Sequence, residues 1–274
     1  MLVSSVVILT SCEKVIDIDL INTEPKVVIE ATITDTEGPH KVYISKTSDY
    51  FEPGKYPAIS NGLVIISDDA GVVDTCIEIE PGVYQTTKIE GKPDSYYSLF
   101  VETEGKTYTA ETYMPEKVEL DSVTYMFTNA VSPESNDGYL IKCQFVDPVE
   151  QENYYRVKTF KNGDFFIENG NEFVIWDDVL FDGVNADIPA KRGGEMFCLY
   201  DTISIELLTI NKKTFQYYTS LINSLASGSG GMGSIGKKMI IGAAAPVNPP
   251  TNLSNGAAGY FAAYCISKKS VIIE

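Results

Sequence analysis

The stretch GSGGMGSIGKK, Gly228–Lys238, carries the glycine spacing of two phosphate-cradling loops. Gly228, Gly230 and Gly233 spell G-x-G-x-x-G. Gly231, Gly236 and Lys237 spell G-x-x-x-x-G-K, with Lys238 where a Ser or Thr would hold magnesium. Both motifs work only in the order strand, loop, helix, because the helix N-terminus and its free N–H groups hold the phosphates. Here a helical pattern precedes the loop, and the following MIIGAAAPVNPP is broken by Pro246, Pro249 and Pro250. No nucleotide is expected, and the stretch reads as a loop after a helix C-terminus.

Three other groups of residues could do chemistry or binding. WDDVLFDGVNAD, Trp176–Asp187, gathers Asp177, Asp178 and Asp182 beside Asn185 and Asp187. Oxygen donors of this kind suit calcium. The three aspartates are the candidate metal ligands and calcium the candidate cofactor, although the spacing is not that of an EF-hand; a solvated acidic loop is the competing reading. DYFEPGKYP, Asp49–Pro57, sets Tyr50, Phe51 and Tyr56 in a Pro/Gly-rich loop, and Trp176 is the single tryptophan. Such rings contact a ligand or partner by stacking and burial, or anchor their own loop. His40, the single histidine, sits in a Gly-Pro-His turn and reads as a surface residue. A nucleophile activated by histidine is therefore not expected. Among 38 acidic residues no glycosidase-like pair stands out, so the chain is not expected to be an enzyme.

The elements that must position these residues are mostly strands. VVIEATIT (Val27–Thr34), KVYISK (Lys41–Lys46), GLVIISDDAG (Gly62–Gly71), VVDTCIEIE and VYQTT are short alternating runs between turn signals. The hairpin SYYSLFVETEGKTYTAETYMP turns at Glu104-Gly105. Strands with turns at this spacing predict an immunoglobulin- or fibronectin-like antiparallel β-sandwich over 25–115. A second β-rich domain is expected over 116–274, from LIKCQFVD, YYRVKTF and TISIELLTI. In it, Phe215, Tyr218, Ile222 and Leu225 recur at helical spacing, predicting one helix near 211–226 with Asn211 as N-cap and a core-facing stripe. The fold class is mainly β.

Length and composition set the frame. A chain of 274 residues makes one large or two ordinary domains, and 44% hydrophobic with 22% charged residues means a globular one. A net charge of −17 repels a phosphate backbone, so nucleic acid is not an expected partner.

MLVSSVVILTSC begins with an apolar run too short for a bilayer, which takes about 20 residues, and ends in Leu-Thr-Ser-Cys. This is the pattern of a lipoprotein signal peptide, here residues 1–11, with Cys12 as lipid anchor and 12–24 as an acidic tether carrying Glu13, Asp17 and Asp19. No Lys or Arg precedes the run, which implies basic residues upstream of Met1. Cys76, Cys143, Cys198 and Cys265 lack any zinc spacing and allow three disulfide pairings, with buried free thiols the alternative.

The order of these segments resembles the Bacteroidota outer-membrane lipoprotein family known as domain of unknown function 4249. The resemblance rests on Cys12, PKVVIEATITDTEGPHKVYISKTSDYF, ISNGLVIISDDAG, PGVYQT, the hairpin with its sequel VELDSVTY, and PVNPPTNLSNGAAGYFAAYCIS. It implies a two-part β-rich protein, lipid-anchored in the outer membrane and facing the exterior, that serves as a non-enzymatic accessory or ligand-capture subunit of a TonB-dependent β-barrel transporter. It carries over no catalytic residue. A stand-alone surface binding protein for a glycan, peptide or metal is the alternative, and a hydrolase ranks below both.

Overall fold

The computed structural model describes residues 25–48, 56–129, 137–166, 173–191, 196–228 and 249–274. The signal peptide, Cys12, the tether, Tyr50, Phe51 and the glycine loop beyond Gly228 lie outside the described residues. In chain order the strands are β1 (Val27–Thr34), β2 (Lys41–Lys46), β3 (Leu63–Asp68), β4 (Val73–Thr75), β5 (Ile77–Glu80), β6 (Val83–Gln85), β7 (Ser95–Thr103) and β8 (Lys106–Met114). They continue with β9 (Ser122–Thr128), β10 (Gly138–Val146), β11 (Tyr154–Lys161), β12 (Asp164–Phe165), β13 (Val174–Asp177), β14 (Asn185–Pro189) and β15 (Thr202–Ile210). Helix α1 (Lys212–Gly228) and β16 (Ala258–Ile272) complete the order.

The protein is mainly β. A nine-stranded sheet runs β12-β11-β15-β16-β1-β2-β6-β5, with β13 also on β11. Two smaller sheets, β4-β3-β7-β8 and β14-β10-β9, accompany it. Alternation decides what each face covers. On β1, Ile29, Ala31 and Ile33 point into a core shared with Val64 and Ile66 of β3 and Leu99 and Val101 of β7. That makes the first sandwich. On β15, Ile203, Ile205 and Leu207 point into a second core with Ile141, Cys143 and Phe145 of β10. The opposite face of the large sheet, with Leu208, Ile210, Tyr260, Ala262 and Tyr264, packs against Phe215, Tyr217 and Tyr218 of α1.

Strand β16 joins the two halves. It pairs in parallel with β1 and antiparallel with β15, so one sheet runs continuously across the segments 25–115 and 116–274. Phe261, Ala263 and Cys265 enter the first core while Tyr260, Ala262 and Tyr264 face α1. Burial on both faces erases the polar–apolar alternation that marks a strand in sequence. Gly259, at φ +94°, is required where the strands meet: a Cβ there would stand 2.1 Å from the Ile29 carbonyl oxygen.

The β7–β8 hairpin turns on Glu104 and Gly105, both at positive φ (49° and 72°), as a two-residue hairpin loop demands. Helix α1 starts where expected: Asn211 Oδ1 accepts a hydrogen bond from the Thr214 N–H at 2.9 Å, the N-cap contact. Its stripe is only partly covered. Phe215 and Tyr218 pack on the sheet, but Leu225 is 47% exposed among the described residues. His40 is buried, not at the surface as its turn sequence implied; its N–H donates to Thr86 Oγ1 at 2.9 Å. Burial lowers its pKa. The four described cysteines are free thiols. Among the described residues no helix is long and apolar enough to cross a membrane.

Candidate functional site

Strand β11 builds two sites with alternating residues. Tyr155, Val157 and Thr159 face the second core, while Arg156 and Lys158 face the helix side of the large sheet. Opposite Arg156, α1 brings Tyr217 and Tyr218, the residue before β13 supplies Phe173, and β16 supplies Tyr260 and Ala262. With Glu30, Thr32, Lys41 and Tyr43 on the outer face of β1 and β2, these walls enclose an open cleft of about 350 Å³.

Arg156 is 8% exposed. Its guanidinium carbon lies 4.4 Å from the Tyr218 ring centroid and 4.7 Å from that of Phe173. The two rings are stacked at 5.3 Å and 28°. Nη1 donates to the Tyr218 hydroxyl at 2.7 Å, while Nε has no hydrogen-bond partner. Among the described residues no carboxylate forms an ion pair with it. Tyr217 stacks on Tyr260 at 4.5 Å and 24°. Its hydroxyl pKa is pushed up to about 12, by burial first and then by Tyr218 and Glu30. Lys158, next on the same face, lies 5.8 Å from the Tyr264 ring centroid. Burial, then the Arg156 charge, pushes its pKa down against the pull of Glu206. The surface is cationic and aromatic within a chain of strongly negative net charge.

A larger hollow of about 780 Å³ lies against β3, β7 and β8, the 250–254 segment and the start of α1. Its charged lining residues, Glu111 and Lys213, are exposed. No buried charge there asks for a partner, so the smaller cleft is the better candidate.

The second site lies on the core side of β11. The carboxylates of Asp147, Asp178 and Asp182 converge, their oxygens within 4.8 Å of one another. Asp147, 1% exposed at the end of β10, accepts hydrogen bonds from the Tyr155 hydroxyl and from the Gly183 N–H at 3.2 Å. Asp178 accepts from the Asn153 N–H at 2.6 Å, and Asp182 from the Glu150 N–H at 3.2 Å. Burial holds the Asp147 pKa above the ordinary carboxylate value. Tyr155 and Gly183 oppose that rise, while Asp178 and Asp182 add to it. The donor set is of the hard-oxygen type that suits calcium. Each carboxylate already accepts a hydrogen bond from a neighbouring backbone N–H or from Tyr155, so the same arrangement ties the 147–153 and 178–184 loops to each other and to β11 without an ion.

The family model described as Domain of unknown function (DUF4249) matches residues 13–270. The chain belongs to the DUF4249 family. No curated protein matches it.

Of the site residues read from the DUF4249 sequence, Asp178 and Asp182 do meet, with Asp147 in place of Asp177. Asp177 stands directly opposite Tyr154 across the β11–β13 ladder, so its side chain projects to the helix side of the sheet. Tyr56 is 66% exposed. Trp176 packs against the second core. Tyr50, Phe51 and Cys12 lie outside the described residues. Arg156, Phe173, Tyr217 and Tyr260 belong to no sequence motif. The one signal pointing to them is YYRVKTF, where two cations alternate with apolar residues. That pattern reads as a solvated face unless another element covers it.

Proposed function

We propose that this chain is a lipid-anchored outer-membrane protein that captures a ligand and works as a non-enzymatic subunit beside a TonB-dependent β-barrel transporter. The observation that supports capture is the Arg156 cleft: a concave, aromatic site with few polar groups, built on a rigid sheet rather than on loops. Membership of the family and the Leu-Thr-Ser-Cys12 ending of the apolar run support the anchor. In this reading Cys12 carries the lipid and the tether sets the distance between membrane and sandwich.

The test is a native pull-down. The chain is tagged at its C-terminus, membranes of the native host are solubilised in mild detergent, and co-purifying proteins are identified. A stoichiometric outer-membrane β-barrel is the expected result. Recovery of the chain alone overturns the transporter role and leaves a stand-alone surface binding protein, which the cleft also supports.

A further inference from the structure

The cleft also points to the chemical class of its ligand, an inference that rests on the capture reading above. A guanidinium has five N–H donors and stays charged at any physiological pH. Arg156 spends one donor on the Tyr218 hydroxyl, keeps Nε unpartnered, and is 8% exposed. Among the described residues no carboxylate pairs with it, and withdrawing such a charge from water without a counter-charge is unfavourable. Ring stacking returns only part of that cost for a desolvated cation. The deficit is what an anion would remove.

The geometry restricts that anion. Tyr218 and Phe173 both lie against the guanidinium and Arg156 lines the cleft, so an acceptor there meets its remaining N–H groups edge-on. A carboxylate meets a guanidinium edge-on, with two parallel hydrogen bonds. Beyond the arginine, the walls are the stacked Tyr217–Tyr260 pair, Leu221 and Ala262, surfaces that favour a flat apolar body. A volume of about 350 Å³ suits one or two fused rings. Lys41 lines the cleft and adds attraction, whereas Glu30 on the β1 wall would repel a second negative charge. We infer that the cleft binds a small aromatic monocarboxylate, its carboxylate on the edge of Arg156 and its ring against Tyr217 and Tyr260.

The experiment uses the full chain in mild detergent, titrated calorimetrically with 2-naphthoate and with its neutral isostere 2-naphthamide. Expected is saturable one-to-one binding of the naphthoate, with the amide weaker by tenfold or more, the factor a charge-assisted hydrogen bond supplies. Arg156→Gln should weaken naphthoate binding at least tenfold and the amide, which loses only a hydrogen bond to a neutral carbonyl, by clearly less. Arg156→Lys, which keeps the charge and loses the fork, should fall between and serves if the glutamine variant does not fold. Equal binding of acid and amide, both weakened by Tyr217→Ala, overturns the anion assignment and leaves ligand capture standing. No binding of either overturns the assignment too, and the pull-down then decides separately whether the chain serves a transporter.

Discussion

Tyr155 and Arg156 are neighbours on β11 that face opposite ways, and the charges they serve are handled in opposite fashion. On the core side, Tyr155 donates to the buried carboxylate of Asp147, which also receives the Gly183 N–H. On the helix side, Arg156 lies against two stacked rings with a donor to spare. Asp74, in the first sandwich, marks the closed extreme. It is 0% exposed and accepts hydrogen bonds from the N–H groups of Thr87, Lys88 and Ile89 and from the Thr87 hydroxyl, all at 2.6–2.9 Å. Burial alone would raise its pKa, but these donors together hold it below 3.8. A buried charge met by fixed donors is a joint. One left with an unused donor beside an open cleft is what the proposed receptor site offers.

The comparison can be broken most directly at the joints. Asp74→Ala orphans three backbone N–H groups and should destabilise the fold by about 3–5 kcal/mol, whereas Asp147→Ala, which strands fewer donors, should cost about 2 kcal/mol. Urea denaturation midpoints measure both, and the reverse order would mean that donor count is not what stabilises these carboxylates.

The pH dependence sharpens the same contrast. The folded pKa of Asp74 is lowered, so its contribution is full above 3.8 and is lost as pH falls through the folded value beneath it. The folded pKa of Asp147 is raised, so its ionised form opposes folding at neutral pH, and that penalty fades as pH falls through the folded value toward 3.8. Asp147→Asn removes the charge and keeps one oxygen, for the Tyr155 hydroxyl, while its amide nitrogen replaces the oxygen that accepts from the Gly183 N–H, a loss that is the same at every pH. Its stability relative to wild type should be greatest at pH 7 and shrink toward pH 4, read from denaturant midpoints across that range. An advantage that grows on acidification would contradict the assignment.

The smallest effect is expected at the receptor. Arg156→Met removes a charge that no described carboxylate pairs and keeps an apolar stem against Tyr218 and Phe173. With that charge gone, stability should hold or rise, by about 1 kcal/mol. A thermal melt of the ligand-free chain measures it, and a clear loss would make Arg156 a third joint.

Much of the fold is legible in the amino-acid sequence. The bounds of β1, β2 and β15 coincide with their alternating runs, because each has one core face and one more polar face. Asn211 announces the start of α1 through its side-chain chemistry. Strand β16 is not legible as a strand, since GYFAAYC is apolar on both faces. The acidic loop is half legible: local sequence names Asp178 and Asp182, but Asp147 arrives from β10, 31 residues before Asp178 in the chain.

By itself, then, the amino-acid order determined what depends on near neighbours: strand periodicity, turn positions, the helix cap, the mainly β class and the family. Only the tertiary structure decided that β16 would bind β1 and β15 into one sheet, and that α1 would cover the face of β11 that carries Arg156. The physical reason is that burial belongs to the packed molecule and not to the residue. Arg156 in YYRVKTF is an ordinary exposed-looking cation until a helix more than fifty residues later brings Tyr217 and Tyr218 over it.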